Sequence, residues 1–313
     1  MTDAERRRAF ERERARRARA RTRIVADTRA EILVQLNQAL AQINTALAAQ
    51  PSEAAAWRLQ ALQREVRRAM DEFSRDSGPL AAAGLERAWR GGADLVDEPL
   101  RAAAIAFEGV QAINPRALES MREFLTEKIR DISLEAANKI NTALGMTVLG
   151  AQTPFEAVKQ VQAILGEATR ERATVIVRTE LNRAFGAAAY QRLQEVAARV
   201  PGMRKQWRRS GKLHSRPEHD AADGQVQAWD APFQFSGKQG KYELRYPVDP
   251  AGPAHGTINC GCVLLPLLPE DSELKPTTPR KKPFTAFELA NDPFKADLAD
   301  GVPLQQLARG APR

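Results

Sequence analysis

Between Ile24 and Arg199 apolar residues return every three or four positions, the spacing that puts them on one stripe of an α-helix. Leu33, Leu36, Leu40, Ile43 and Leu47 form the first stripe, which Pro51-Ser52 interrupts, with Ser52 placed to cap the next helix. Leu59, Leu62, Val66, Met70 and Phe73 form the second, predicted to stop before Ser77-Gly78-Pro79; a less regular stretch with Gly91-Gly92 and Pro99 comes next. Leu118, Met121, Leu125, Ile129, Ile132, Ala136 and Ile140 predict a long helix, opened by the capping residue Asn114 and by Pro115 in the first turn. Thr153-Pro154-Phe155-Glu156 repeats that signal, with glutamate three residues after the cap, and opens a short helix ending near Gly166. A further helix runs from about Arg170 to Arg199. These stripes are most simply core or helix-partner faces, and a few turns of heptad-like spacing do not establish a coiled coil.

The pattern changes at Pro201-Gly202. Aromatics, glycines and prolines become frequent, and Gln206-Trp207-Arg208 and Gln225-Val226-Gln227-Ala228-Trp229 read as strands between turns. After Pro266 the chain is rich in proline (Pro269, Pro276, Pro279, Pro283) and carries Arg280-Lys281-Lys282, so it buries too little apolar area to fold alone. That segment is expected to lie extended on a partner or stay mobile, with a brief docking helix around Phe284 to Leu289. The expected architecture is a mostly α N-terminal region followed by a small α+β C-terminal domain and an extended Pro-rich tail. Its expected divisions are an Arg-rich arm at 1–23, a helical region at 24–150, the α+β-containing domain at 151–265 and the tail at 266–313.

Charge changes this picture at the amino terminus. Residues 1–23 carry ten arginines (Arg6, Arg7, Arg8, Arg12, Arg14, Arg16, Arg17, Arg19, Arg21 and Arg23) against Asp3, Glu5, Glu11 and Glu13, most of the net charge of +8. Such an arm neutralises phosphates and releases counterions, giving salt-sensitive binding to double-stranded DNA or another polyanion without sequence preference. The alternative is a solvated helix with pairs such as Glu13 and Arg17; the positive surplus is too large for those glutamates to balance. Only Phe10 interleaves the arginines, so base stacking is not implied. Deleting 1–23 is expected to abolish DNA binding without unfolding the rest. No helix-turn-helix with a basic recognition helix is evident. No apolar stretch follows the basic start and no run of eighteen apolar residues occurs, so neither secretion nor membrane insertion is expected.

All three histidines and both cysteines fall between His214 and Cys262. A bridge within Cys260-Gly261-Cys262 would be strained, so reduced thiols or metal ligation are expected, with synthesis in a reducing cytosol. Cys260 and Cys262 offer soft thiolates, and His219 with His255 or His214 could complete a structural zinc site; the alternative is a packed, metal-free cysteine pair. A catalytic zinc lacks a suitably placed glutamate. His214 and His219 could act as general base and general acid, with Arg216 as phosphate clamp, in metal-free RNA cleavage, or Arg216 and His219 could join Arg178, Glu180 and Asp223 in a buried structural network. Asp223-Gly224 and Asp249-Pro250 are turn chemistry first, and Trp207, Trp229, Phe233 and Phe235 are expected in the small domain's core.

The ordered set Arg178-Thr179-Glu180, a tryptophan strand, Arg216-x-x-His219-x-x-x-Asp223-Gly224, Tyr246-Pro247-x-Asp249-Pro250 and Asn259-Cys260-x-Cys262 resembles the phage Mu F-like minor head protein family, also called phage head morphogenesis proteins. His214 stands where that family commonly has an acidic residue, and Gly261 where it has a basic one. The resemblance covers about Gln152 to Leu265. It implies a non-enzymatic minor capsid protein of a tailed phage, made in the host cytoplasm and carried in the virion at the head interior or portal vertex. Its partners would be the portal protein, the major capsid protein and packaged DNA, and its role would lie in head assembly, DNA packaging, genome retention or ejection. A phage-borne His-dependent nuclease or toxin-like enzyme is the alternative.

Overall fold

The computed structural model describes residues 1–50, 58–105, 114–212, 215–270 and 274–277. Helices come first: α1 (Asp3–Ala48), α2 (Leu59–Ala102), α3 (Pro115–Val148), α4 (Pro154–Gln162) and α5 (Arg170–Ala197), the last two joined by a π-helical segment, Ala163–Thr169. The small strand-bearing region follows as β1 (Arg204–Arg208), α6 (Pro217–Ala221), β2 (Val226–Ala228), β3 (Phe233–Gly237), β4 (Gly240–Leu244), α7 (Ala254–Thr257) and β5 (Val263–Leu267). Among the described residues no helix is long and apolar enough to cross a membrane.

The start signals work as their chemistry predicts. Asn114 accepts the Arg116 amide at 3.1 Å ahead of Pro115, and Thr153 and Glu156 form a reciprocal capping box. The predicted stops behave differently. Helix α2 continues through Ser77-Gly78-Pro79, Gly91-Gly92 and Pro99, and Gly92 serves a helix contact rather than a break. A Cβ on Gly92 would collide with the Phe185 carbonyl and lie 2.9 Å from Ala188 Cβ, so glycine lets α2 and α5 approach closely there. The interior prolines cost helix hydrogen bonds, and burial of Leu85, Trp89, Leu95, Val96 and Leu100 offsets that loss. Likewise the break expected near Gly166 is absorbed by the wider π-helical turns.

The chain forms two compact units that interleave along the sequence. One comprises Met1–Arg19, Gly91–Ile113 and Phe185–Arg313; the other comprises Ala20–Arg90 and Asn114–Ala184. The expected divisions at 23/24 and 150/151 therefore do not follow the compact units. In the helical unit the predicted stripes are inward faces: Ile32, Leu36, Ile43, Val66, Met70, Phe73, Ile129, Ile132 and Ile140 are buried, and Ser133 donates to the Met70 carbonyl at 2.6 Å.

The unit that contains the strands is built around one cluster. Phe10, Val96, Leu100, Tyr190 and Leu193 share it with Trp207, Phe233, Phe235, Leu264 and both cysteines. Its three-stranded antiparallel sheet has the order β2-β1-β5, and β3 and β4 form a separate hairpin. Strand β5 pairs along all of β1, from Arg204 opposite Leu267 to Arg208 opposite Val263, so the domain extends past the expected end at 265. Trp207, Phe233 and Phe235 are core, with Trp229 packed against it, as expected.

The Arg-rich segment is not a separate arm. It forms the first turns of α1, where Phe10 is fully buried and Arg14, 2 % exposed, donates to the Pro266 carbonyl at 2.9 Å. Arg17 pairs with Glu13, Asp94 and Glu98 at 2.7 to 3.1 Å. Deleting residues 1–23 would remove core, which corrects the expectation that the rest would stay folded. Residues 274–277 of the Pro-rich segment lie on their own unit: Gln206 exchanges hydrogen bonds with the backbone of Leu274, and Thr277 donates to Asp223 through both amide and hydroxyl at 2.7 Å. Ser52, His214, Pro279, Pro283, Arg280-Lys281-Lys282 and the helix expected around Phe284 lie outside the described residues.

A candidate metal centre in the small domain

Three short elements bring the cluster together. Pro217 starts α6 with its φ already fixed, and two residues later His219 points into the core at 2 % exposure. The two cysteines arrive on the turn between α7 and β5. There Asn259 adopts φ +55°, and Lys212 donates to both the carbonyl and the side-chain oxygen of Asn259, holding the turn. Cys260 and Cys262, at 2 % and 3 % exposure, then face inward from positions two apart.

His219 Nδ1 lies 3.5 Å from Cys260 Sγ and 3.5 Å from Cys262 Sγ. The Cys262 amide donates to Cys260 Sγ at 3.4 Å. The other ring nitrogen, Nε2, is 3.1 Å from the Tyr242 hydroxyl. Trp207 and Phe235 pack on the imidazole with ring centroids 5.4 and 5.3 Å away. The Cys260 thiol is held well below its usual value by its hydrogen bond with Cys262 and by His219, against the opposing effect of burial. Burial and nearby Glu218 push Tyr242 upward, so its hydroxyl stays protonated.

His255 does not join this group. Among the described residues the cluster whose donor atoms lie within 4.8 Å of one another is His219, Cys260 and Cys262. The edge of the His255 ring meets Tyr242, with centroids 5.2 Å apart, and burial lowers its pKa. Tyr242 thus occupies the position between the two histidines.

Residues 138–265 match the family model described as Phage Mu protein F like protein. The Mu F-like segment covers less than half of the 313 residues, running from within α3 to β5, and contains the whole His/Cys cluster. It agrees with the resemblance carried by the sequence motifs. No curated protein and no solved structure matches the chain.

The structure gives the remaining motif residues separate partners. Glu180 is held by Arg183 at 2.7 and 2.9 Å, and burial raises its pKa against that pairing. Arg178 is partly buried on α5, where desolvation and Arg29 make it less basic. Arg216 donates to the Ile258 carbonyl at 2.6 Å, bracing the cysteine turn. Asp223, just before Gly224 at φ +88°, accepts from Arg208, from the Arg209 amide and from Thr277. Asp249 binds Arg245 through two 2.7 Å contacts and accepts the Ala251 amide, so the Tyr246-to-Pro250 motif is a locked turn. Sequence reasoning missed Tyr242 and Lys212. Tyr242 shares a face of β4 with buried Leu244, but only the folded structure reveals that its hydroxyl reaches His219.

Proposed function

We propose that this chain is a minor head protein of a tailed phage, bound at the portal or inner capsid, where it acts in building infectious heads and contacts packaged DNA. The carrying observation is the Mu F-like match, which ends on β5 and contains the motif residues from Arg178 to Cys262. A structural rather than catalytic role is supported by His219: it is buried, and both ring nitrogens face protein groups, leaving it poorly placed to exchange protons with a substrate. Quantitative mass spectrometry of purified DNA-filled particles, counting this chain against the major capsid protein, tests the placement. A few copies per head are expected; absence from particles defeats a virion role.

The DNA contact rests on the exposed face of α1. Arg8, Arg12, Arg16 and Arg19 succeed one another at spacings of three or four and are all exposed, on the face opposite buried Phe10 and Arg14. They span about 16 Å of helix. Arg16 is tied to Glu13 at 2.6 Å, whereas Arg8, Arg12 and Arg19 have no ion pair among the described residues. Replacing Arg8, Arg12 and Arg19 together by alanine is expected to weaken DNA binding and to flatten log K against log salt by about 2 to 3 in slope, with thermal unfolding unchanged. An unchanged slope removes this stripe from the reading.

A further inference from the structure

We propose that His219 Nδ1, Cys260 Sγ and Cys262 Sγ bind one zinc ion that pins α6 to the turn entering β5. The donor set is the first argument: one imidazole and two thiolates suit zinc better than any hard cation, which would require oxygen ligands. The spacing is the second. Zinc–sulfur bonds of about 2.3 Å and zinc–nitrogen bonds of about 2.0 Å at a tetrahedral angle place nitrogen and sulfur about 3.5 to 3.6 Å apart. The two observed separations are both 3.5 Å.

Hydrogen bonding alone accounts for this symmetry less well. A neutral imidazole has one lone pair, on a single ring nitrogen, and that pair accepts one S–H, whereas two sulfurs stand equally far from Nδ1. The surroundings complete a metal site. The Tyr242 hydroxyl is placed to accept the Nε2 proton, which leaves the Nδ1 lone pair directed at the sulfurs and orients the ring. The Cys262 amide donates to Cys260 Sγ, favouring the thiolate. Binding engages both sulfurs as thiolates, each proton still held by a thiol passing to solvent, and forms two sulfur–zinc bonds and one nitrogen–zinc bond. A fourth donor, water or another side chain, completes the tetrahedron.

The site would serve as a staple. It joins residues 41 and 43 positions apart in a domain whose strands are three to five residues long. It does not depend on the phage-head reading, since its test needs only the purified chain. The full-length protein, prepared without chelator, is assayed for zinc by elemental analysis. It is then treated with a chromogenic chelator before and after a thiol-blocking mercurial. One zinc per chain is expected, released only once the thiols are blocked. Cobalt(II) substitution is expected to give sulfur-to-cobalt charge-transfer bands of two-thiolate intensity. Zinc lost to the chelator without thiol blocking marks an adventitious ion and overturns the assignment, as does folded protein with no zinc and no cobalt bands. Should Cys262→Ser and His219→Ala fail to fold, His255→Ala decides the ligand set: retained zinc supports it, and loss of zinc overturns it.

Discussion

Lys205 is a cation at the centre of an apolar unit. Its side chain is fully buried on β1; Nζ donates to the Arg245 carbonyl at 2.8 Å and lies 4.7 and 5.1 Å from the ring centroids of Tyr190 and Phe233. Burial lowers its pKa from 10.5 to about 8, with Asp230 and Asp249 opposing the shift. The unfolded chain then holds this proton more tightly than the folded chain, so the cost is fully present below pH 8 and is relieved as pH rises toward 10.5. Lys205→Met keeps the length of the side chain and removes the charge. Its stability relative to the wild type should be greatest at neutral pH and should fall by up to about 3 kcal/mol by pH 10. Denaturant unfolding of both proteins at the two pH values measures this, and a difference independent of pH defeats the argument. The alternation around Trp207 showed a strand at this position, but no local pattern placed Lys205 inside. That depends on Tyr190 and Phe233, which come from elsewhere in the chain.

At the scale of elements, helix starts were legible and helix stops were not. Caps act on the amides of their own first turn, so Asn114 and Thr153 announced themselves. Glycine and proline end a helix only if no partner compensates, and the partner of Gly92 lies on α5, far along the sequence. The 274–277 segment was illegible for the same reason: its anchor is Asp223, whose pairing with glycine announced only a turn. Burial raises the Asp223 pKa, but the amides of Thr277 and Arg209, the Thr277 hydroxyl and Arg208 outweigh it and leave the pKa below the usual value. A lowered carboxylate pKa contributes stability above the unfolded value of about 4, and that contribution is lost as pH falls through the folded value. Asp223→Asn should therefore destabilise the protein at pH 7 by about 1 to 3 kcal/mol and narrow the gap between melting temperatures at pH 7 and pH 3. It should also speed hydrogen exchange at the Thr277 amide. An unchanged exchange rate would show that residues 274–277 are held by other contacts.

For the whole molecule, folding units and sequence segments are different divisions. The Mu F-like match is one continuous stretch, 138–265, whereas the unit carrying the His/Cys cluster is assembled from three stretches, beginning with Met1–Arg19. Phe10, Val96, Leu100 and Ala103, all at 0 % exposure, belong to the same core as Trp207 and the cysteines. The motifs were legible because their residues are close in sequence. The core was not, because the apolar stripe of α1 reads the same whether it faces one unit or the other. Excising 138–265 would leave Leu193, Met203 and Trp207 without those partners, and loss of one buried phenylalanine alone costs about 3 to 5 kcal/mol, a large share of a domain's stability. The isolated fragment should therefore keep helical far-ultraviolet circular dichroism, bind a hydrophobic dye and lack a sharp thermal transition, whereas the full chain unfolds cooperatively. Phe10→Ala in the full chain should move it in the same direction by a smaller amount. A fragment that unfolds as sharply as the intact protein would show that the small domain is self-sufficient and that the amino-terminal helix only decorates it.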